Sequence, residues 1–389
     1  MISRLRSIFR RQDAASRNPG LAFDRPMVLF QSDDWGRAGV RDRAGWDELV
    51  AKGLDLGKNP YDAYSLETAA DLEALGDVLR KHRDSVGRHP CIGMNFVMAN
   101  VDFSRSLEEE NSIHGNRNEI PLRPLTEGFP SPWERPGLME AYQQGIREGI
   151  FYPALHGLTH FCLPAVRREL AANAERRTLL RTLWTAGTPY IHWRMPWVGY
   201  EYWDPSLAPD SRFLPLADQS AAINRAAEIY RAIFARIPLS ACAPGYRANA
   251  DTVTAWFEQG VRVVQCGPGD RSEPSLNDQG MLLTFRNLEM EPATQSCERD
   301  KLVTQANEYL KRGVPVVVSV HSINFHSSIR DFRTPTLHLL DGFLSAMLRA
   351  HPDLLFVNDG DLWEIATQGF FAAETEIIKV GGKFTDTEY

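Results

Sequence analysis

The chain has 389 residues, 43% of them hydrophobic and 24% charged, with a formal net charge of -7 and a pI near 5.9. This is an ordinary globular composition with room for one large or two modest domains. It argues against general nucleic-acid binding, which calls for a basic face, and no run approaches the roughly 18 apolar residues of a membrane span.

Residues 1–26 read as a basic N-terminal arm carrying Arg4, Arg6, Arg10, Arg11 and Arg17, without the continuous apolar stretch of a secretory signal. Ile2, Leu5, Ile8 and Phe9 fall near one face of a possible helix, which leaves a weak peripheral contact with an anionic membrane open beside a frayed, solvated terminus. The five cysteines (Cys91, Cys162, Cys242, Cys266 and Cys297) are odd in number and scattered, with no CxxC pair. Neither a disulfide framework nor a cysteine zinc site is expected, and a cytoplasmic, reducing location is the simpler reading.

The first strong element is the apolar run Met27-Val28-Leu29-Phe30-Gln31, which ends at Ser32-Asp33-Asp34-Trp35-Gly36. It predicts a strand covered on both faces, delivering two carboxylates to its C-terminal end. Side chains alternate along a strand, so Asp33 and Asp34 can hold different jobs, one on a metal and one on a proton, or the pair can be a turn or cap. Residues 36–62 read as a loop. A helix follows with Leu72, Leu75 and Leu79 at helical spacing and Thr68 as a cap ahead of Asp71. Cys91 to Met98 is a second strand, residues 100–136 are a long Pro-rich connection, and Gly137 to Glu148 is a helix.

A third strand, Ile150 to Leu155, runs into His156-Gly157-Leu158-Thr159-His160. On a helical turn this spacing places both imidazoles on one face. Two imidazoles and a carboxylate suit a borderline divalent ion such as zinc, with positions left open for water and substrate. Residues 161–218 read as an insertion over the site, with helices over 167–182 and 220–235. Between them, residues 184–205 hold Trp184, Tyr190, Trp193, Trp197, Tyr200, Tyr202 and Trp203. Gly187, Pro189, Pro196, Gly199 and Pro205 break regular helix there, so the rings suit stacking on sugar faces from a loop, although 193, 197 and 200 also fit core packing at helical spacing. Strands over 239–243 and 261–266 flank a helix through Trp256, a βαβ unit that implies parallel pairing. Further strands cover 281–285, 314–320 and 354–358, and the strand over 314–320 leads into His321, placed to protonate a leaving group. Alternating strands and helices without a Gly-rich phosphate loop favour a (β/α) barrel, with an open doubly wound sheet as the alternative.

The Asp33-Asp34 pair, the His156/His160 pair and His321, in that order, resemble the polysaccharide deacetylases of carbohydrate esterase family 4. More narrowly, the chain looks like a deacetylase-like branch that opens with an SDDWG segment. The resemblance spans residues 27–369 and implies a distorted (β/α)7-8 barrel of the NodB-homology type, with a C-terminal tail over 370–389. It implies Asp33 as base, Asp34, His156 and His160 as metal ligands, and His321 as general acid. Where the family carries a motif arginine that orients the base, Cys242 stands in Cys242-Ala243-Pro244-Gly245-Tyr246, so Arg286 or Arg247 is expected to supply the guanidinium. A backbone N–H near Tyr246 is expected at the oxyanion. The family's carboxylate behind the general acid has no clear match, with Asp270 and Asp359 as candidates.

The expected function is therefore a metal-dependent hydrolase of a non-peptide C–N bond that removes an acyl group, an N-acetyl group in the first instance, from a saccharide. Its cofactor would be zinc, or else cobalt or nickel. Tyr246, Trp193, Trp197, Tyr200 and Trp203 would contact the sugar. A saccharide-binding protein without turnover, a hydrolase of a small-molecule amide and a structural protein with packed histidines are the competing readings.

Overall fold

The computed structural model describes residues 19–105, 120–129, 133–189, 195–269, 271–373 and 376–385. Its centre is a parallel sheet built from β1 (Met27–Trp35), β2 (Ile92–Phe96), β3 (Phe151–Leu155), β4 (Ser240–Cys242), β5 (Val263–Cys266), β6 (Leu282–Phe285), β7 (Leu288–Glu289), β8 (Val316–His321) and β9 (Leu355–Phe356). The pairing runs β7-β8-β1-β2-β3-β4-β5-β6, with β9 beside the start of β1 and the short strand Ser275–Leu276 antiparallel on β6. The fold is α/β.

The pairing is an open path with two ends, not a traced closed barrel, and a seam lies where the expected barrel would close. The two ends of the path, β6 and β7, are one continuous piece of chain, separated only by Arg286 and Asn287. Leu282–Phe285 pairs with β5 while Leu288–Glu289 pairs with β8. In between, Arg286 N–H still reaches the Cys266 carbonyl (3.3 Å), and Asn287 changes side: its N–H donates to the Val317 carbonyl (3.1 Å) and its side chain accepts from Val317 N–H (2.9 Å). The seam is thus a change of partner within one segment, and it leaves Arg286 at the point where the segment crosses over.

The strand interiors meet in a buried polar layer. Gln31 of β1 donates to Thr284 of β6 and to Asp359, Ser240 of β4 and Gln265 of β5 donate to Asp359, and Asn95 of β2 bonds Gln265. Asp359 therefore serves this layer, and Asp270 lies outside the described residues.

Around the sheet lie α1 (Arg43–Ala51), α2 (Ala69–Arg80), α3 (Leu138–Arg147), α4 (Leu163–Ala172), α5 (Ala174–Thr185), α6 (Leu216–Phe234), α7 (Ala250–Glu258), α8 (Arg299–Lys311), α9 (Arg333–Ala350) and α10 (Asp359–Gln368). Helix α2 forms as its sequence predicts: Thr68 and Asp71 close a reciprocal capping box, and Leu72, Leu75 and Leu79 are buried. Two elements differ from expectation. The expected loop over 36–62 contains α1, because the Asp42 side chain accepts from Gly45 N–H and starts a helix whose apolar pattern is too short to announce itself. The expected helix over 167–182 is two, because Asn173 ends α4 and its side chain caps α5 by accepting from Arg176 N–H (3.0 Å). At the ends of the described chain, Gly20–Phe23 and Gly382–Thr385 form an antiparallel pair. No helix among the described residues is long and apolar enough to cross a membrane, and the basic segment over 1–18 lies outside them.

Candidate active site

Strand β1 carries both carboxylates through an irregularity in its pairing with β2 between Ser32 and Trp35. Asp34 takes φ +76°, left-handed backbone that a non-glycine residue adopts at a cost, and Gly36 follows at φ +70°. The kink turns the two side chains apart. It is held from outside: Tyr64 Oη donates to the Asp34 carbonyl (2.7 Å), with Ser322 Oγ beside it (3.3 Å), and the buried Glu67 accepts from Gly36 N–H (2.8 Å).

Asp34 Oδ1 lies 3.1 Å from His160 Nε2 and 3.6 Å from His156 Nε2. Ligands about 2.0–2.2 Å from a tetrahedral ion stand roughly 3.4 Å apart, so this donor set fits zinc or a similar divalent ion. The protonation states suit it too. His156 Nδ1 is 2.9 Å from the Cys242 carbonyl, which can only accept, so Nδ1 carries a proton and Nε2 is the atom left to serve as a ligand on the Asp34 side. Burial, with Arg37 next, holds the His160 imidazole down to about 4, hence neutral. Burial pushes the Asp34 carboxyl up, but the Arg37 guanidinium outweighs it and keeps it well below the usual range.

The histidines do not share a helical turn. Residues 156–160 are a loop whose Gly157 stands at φ +89°. Met98 N–H donates to the Gly157 carbonyl (3.0 Å) and Ala99 N–H to that of Leu158 (2.8 Å). On the other side, the buried carboxyl of Glu201 accepts from Leu158 N–H (2.8 Å) and Thr159 N–H (3.2 Å). A Cβ on Gly157 would collide with that carboxyl. We expect Gly157→Ala to cost about 1–3 kcal/mol, from the forced backbone alone, and to weaken zinc binding. Denaturant melts and metal analysis read both, and a variant as stable and as metal-replete as the parent would refute the account.

Asp33 faces a different set of partners. Arg286 grips it with both terminal nitrogens, Nη1 to Oδ2 at 2.8 Å and Nη2 to Oδ1 at 2.5 Å, and Asn95 Nδ2 adds a bond at 2.6 Å. Burial alone would raise its carboxyl, but the Arg286 guanidinium outweighs it and, with His321, holds it below the usual carboxylate range. Arg286 comes from the seam, while Cys242 lies 4.0 Å from Asp33 and 3.6 Å from Arg286 Nη2. Asp33, His156 and Cys242 form a second possible donor group, but the buried guanidinium beside it opposes any further cation.

His321 is the register partner of Asp33 on the neighbouring strand, with Nε2 3.7 Å from Asp33 Oδ2. Its Nδ1 is 2.6 Å from Glu291 Oε1, and Asn324 Nδ2 secures the other Glu291 oxygen at 2.6 Å. Glu291 thus stands behind His321, in the place for which the sequence offers Asp270 or Asp359. Burial would lower the imidazole, yet Glu291, followed by Asp33, lifts it to about 9. A folded value above the ordinary 6.5 means that the pair stabilises the metal-free protein fully below pH 6.5 and loses that contribution as pH rises through about 9. We expect Glu291→Gln to bring the His321 titration down toward 6.5, read from its ring protons by NMR. A titration that stays near 9 would assign the shift elsewhere.

No family model matches the sequence, and no curated protein does. Solved structures do. A candidate polysaccharide deacetylase from Mycobacterium smegmatis is 11% identical, with 90% of this chain and 94% of that one covered and a TM-score of 0.44. A family 4 carbohydrate esterase from Streptomyces lividans, in complex with acetate, is 10% identical over 86% and 92% of the two chains, with a TM-score of 0.35. A family 4 pseudoenzyme from Bacillus anthracis is 8% identical over 87% and 66%, with a TM-score of 0.38. At this distance the likeness says nothing of what this chain does.

The expected substrate contacts divide. Tyr200 stands edge-on to His160, centroids 5.9 Å apart, and its ring lies against Gly245. Trp203 pairs with Tyr200 and carries Arg247 over its face at 4.8 Å. Trp197 packs instead with the apolar cluster of α4 and α5, under Arg176, and Trp193 lies outside the described residues. Tyr246 is at the site through its hydroxyl, 2.9 Å from Arg286 Nη1, but its N–H closes a tight turn onto the Ala243 carbonyl (2.8 Å) and so is not an oxyanion donor. Tyr61, which carried no signal in the sequence, meets the His321 ring edge-on at 6.2 Å.

Proposed function

We propose that the protein is a metal-dependent hydrolase that removes an acyl group, N-acetyl in the first instance, from a saccharide. The observation that carries the reading is the division of labour around β1. One aspartate joins two histidines as a donor set, while its neighbour stands 3.7 Å from His321, whose other ring nitrogen is held by Glu291. Asp34, His156 and His160 would hold a divalent ion, zinc first and cobalt or nickel as alternatives, which would supply Lewis acidity for the acyl carbonyl and a more acidic water. Asp33 takes that water's proton. Its fork with Arg286 keeps it ionised and oriented, and makes it a weak base suited to an already acidified water. His321, charged at neutral pH and aimed by Glu291, protonates the departing nitrogen or oxygen. Tyr200, from the inserted segment over 161–218, offers its ring to a sugar beside the site, with Trp203 behind it under Arg247 and Arg212.

A binding protein without turnover would follow if the motif arginine lost at Cys242 and the carboxylate behind His321 had no replacement. Arg286 and Glu291 stand in those two places, which favours turnover. All five cysteines are unpaired thiols, in keeping with a reducing, cytoplasmic setting. The test is acetate release from a panel of N- and O-acetylated saccharides by metal-stripped protein with zinc, cobalt or nickel restored. Release that depends on added metal is expected. Sugar binding without release under any metal would favour the binding protein.

A further inference from the structure

We infer that Arg37 is a built-in counter-cation to Asp34, which weakens the grip of the three-ligand site on a divalent ion and keeps that site assembled without one. The inference rests on the metal reading proposed above and concerns a residue outside the donor set. Arg37 Nη1 lies 2.8 Å from Asp34 Oδ1, the same oxygen that stands 3.1 Å from His160 Nε2 and 3.6 Å from His156 Nε2. One carboxylate oxygen therefore faces the guanidinium and the ion position together.

The guanidinium is held there. Arg37 is 7% exposed, and its Cζ sits 4.3 Å from the centroid of Tyr64, whose hydroxyl in turn grips the Asp34 carbonyl at 2.7 Å. Its backbone follows Gly36, whose N–H is tied to Glu67 and whose carbonyl accepts from Asn100 Nδ2 (2.8 Å). Swinging Arg37 away from an incoming ion would give up the cation–π contact and the bond to Asp34 together.

The consequence is electrostatic. Two neutral imidazoles and one carboxylate normally leave a divalent ion one unit of net positive charge, and Arg37 cancels the only anionic ligand. Like charges this close in a buried site repel, and the guanidinium charge bound to the ligating oxygen offsets the attraction that oxygen has for a cation. The ion is then held less tightly and is more electron-poor, so it polarises a carbonyl better. Without an ion, the same guanidinium spares the protein a buried, uncompensated carboxylate.

Zinc titrations of metal-stripped wild type, Arg37→Met, Arg37→Gln, Arg37→Lys and Asp34→Asn, against a competing chromophoric chelator, test this. Arg37→Met and Arg37→Gln should bind zinc about 10- to 100-fold more tightly, because a like charge beside the ion position is removed. Arg37→Gln keeps a donor and loses the charge, whereas Arg37→Lys keeps the charge and should stay near wild type. The uncharged variants should also melt at lower temperature without zinc and gain more from it than wild type does. A variant that folds only with zinc gives the same answer. Equal or weaker zinc binding in both uncharged variants, with Asp34→Asn weakened as expected, would overturn the inference and leave the three-ligand site standing. A wild type that binds no zinc, or an Asp34→Asn protein that binds it undiminished, would end both.

Discussion

Replacing Asp33 with asparagine should lower turnover about 10²- to 10⁴-fold, the usual worth of a general base, while zinc content stays at the wild-type level. The amide is nearly the same size, and its one oxygen can still accept from Arg286 Nη2 and Asn95, although its NH2 then faces Arg286 Nη1 donor to donor. What it loses is the site for the proton. The neighbouring change has the opposite signature, since Asp34→Asn removes an anionic ligand and should lower zinc affinity first and turnover as a result. Measuring bound metal and the rate on the same preparations separates the two, and equal metal loss in both variants would show that the adjacent carboxylates are not divided in this way.

Replacing Arg286 with methionine should be the most damaging single change to stability, at about 3–5 kcal/mol, because it strips the partner from a charge that stays buried. Arg286 is 1% exposed, and it also ties Asp33 to Ser319, Gln265 and Tyr246. The pH dependence gives a sharper signature than the magnitude. In the parent, Asp33 titrates below its ordinary 3.8, so it contributes stability above that pH and loses it only as pH falls through the lower folded value. Without Arg286, burial is the largest remaining influence and raises the carboxyl, so the sign reverses and the variant should regain stability relative to the parent as pH is lowered from 7 toward 4. Urea unfolding at several pH values reads this directly. The double variant with Asp33→Asn should cost less than Arg286→Met alone, because no charge is left to strand. A deficit that is constant with pH and additive with Asp33→Asn would mean that Arg286 matters only for packing at the seam.

The sequence by itself determines the elements whose signal is local. The run from Met27 to Asp34 marks a buried strand with charge at its end, and Thr68-x-x-Asp71 ahead of spaced leucines marks a capped helix. His321 is likewise legible, at the end of the most apolar strand. Such features depend on spacing along the chain and on residue type, which a linear reading preserves.

What only the tertiary structure decides are the partners of those residues. Arg286 reaches Asp33 across 253 positions because the chain changes strand partner at the seam, and no periodicity encodes that change. Glu291 comes to His321 because β7 lies beside β8, although its sequence neighbourhood marks it no more than Glu289. Arg37 falls on Asp34 because Asp34 and Gly36 take left-handed backbone, where a regular strand would point the two side chains elsewhere. Glu201 lies 43 positions beyond Leu158 and meets Gly157 only through the way the chain folds back. Local physics places the reacting groups on the chain. The charges that tune them come from residues far away, and register, one strained turn and one change of strand partner bring them within hydrogen-bond reach.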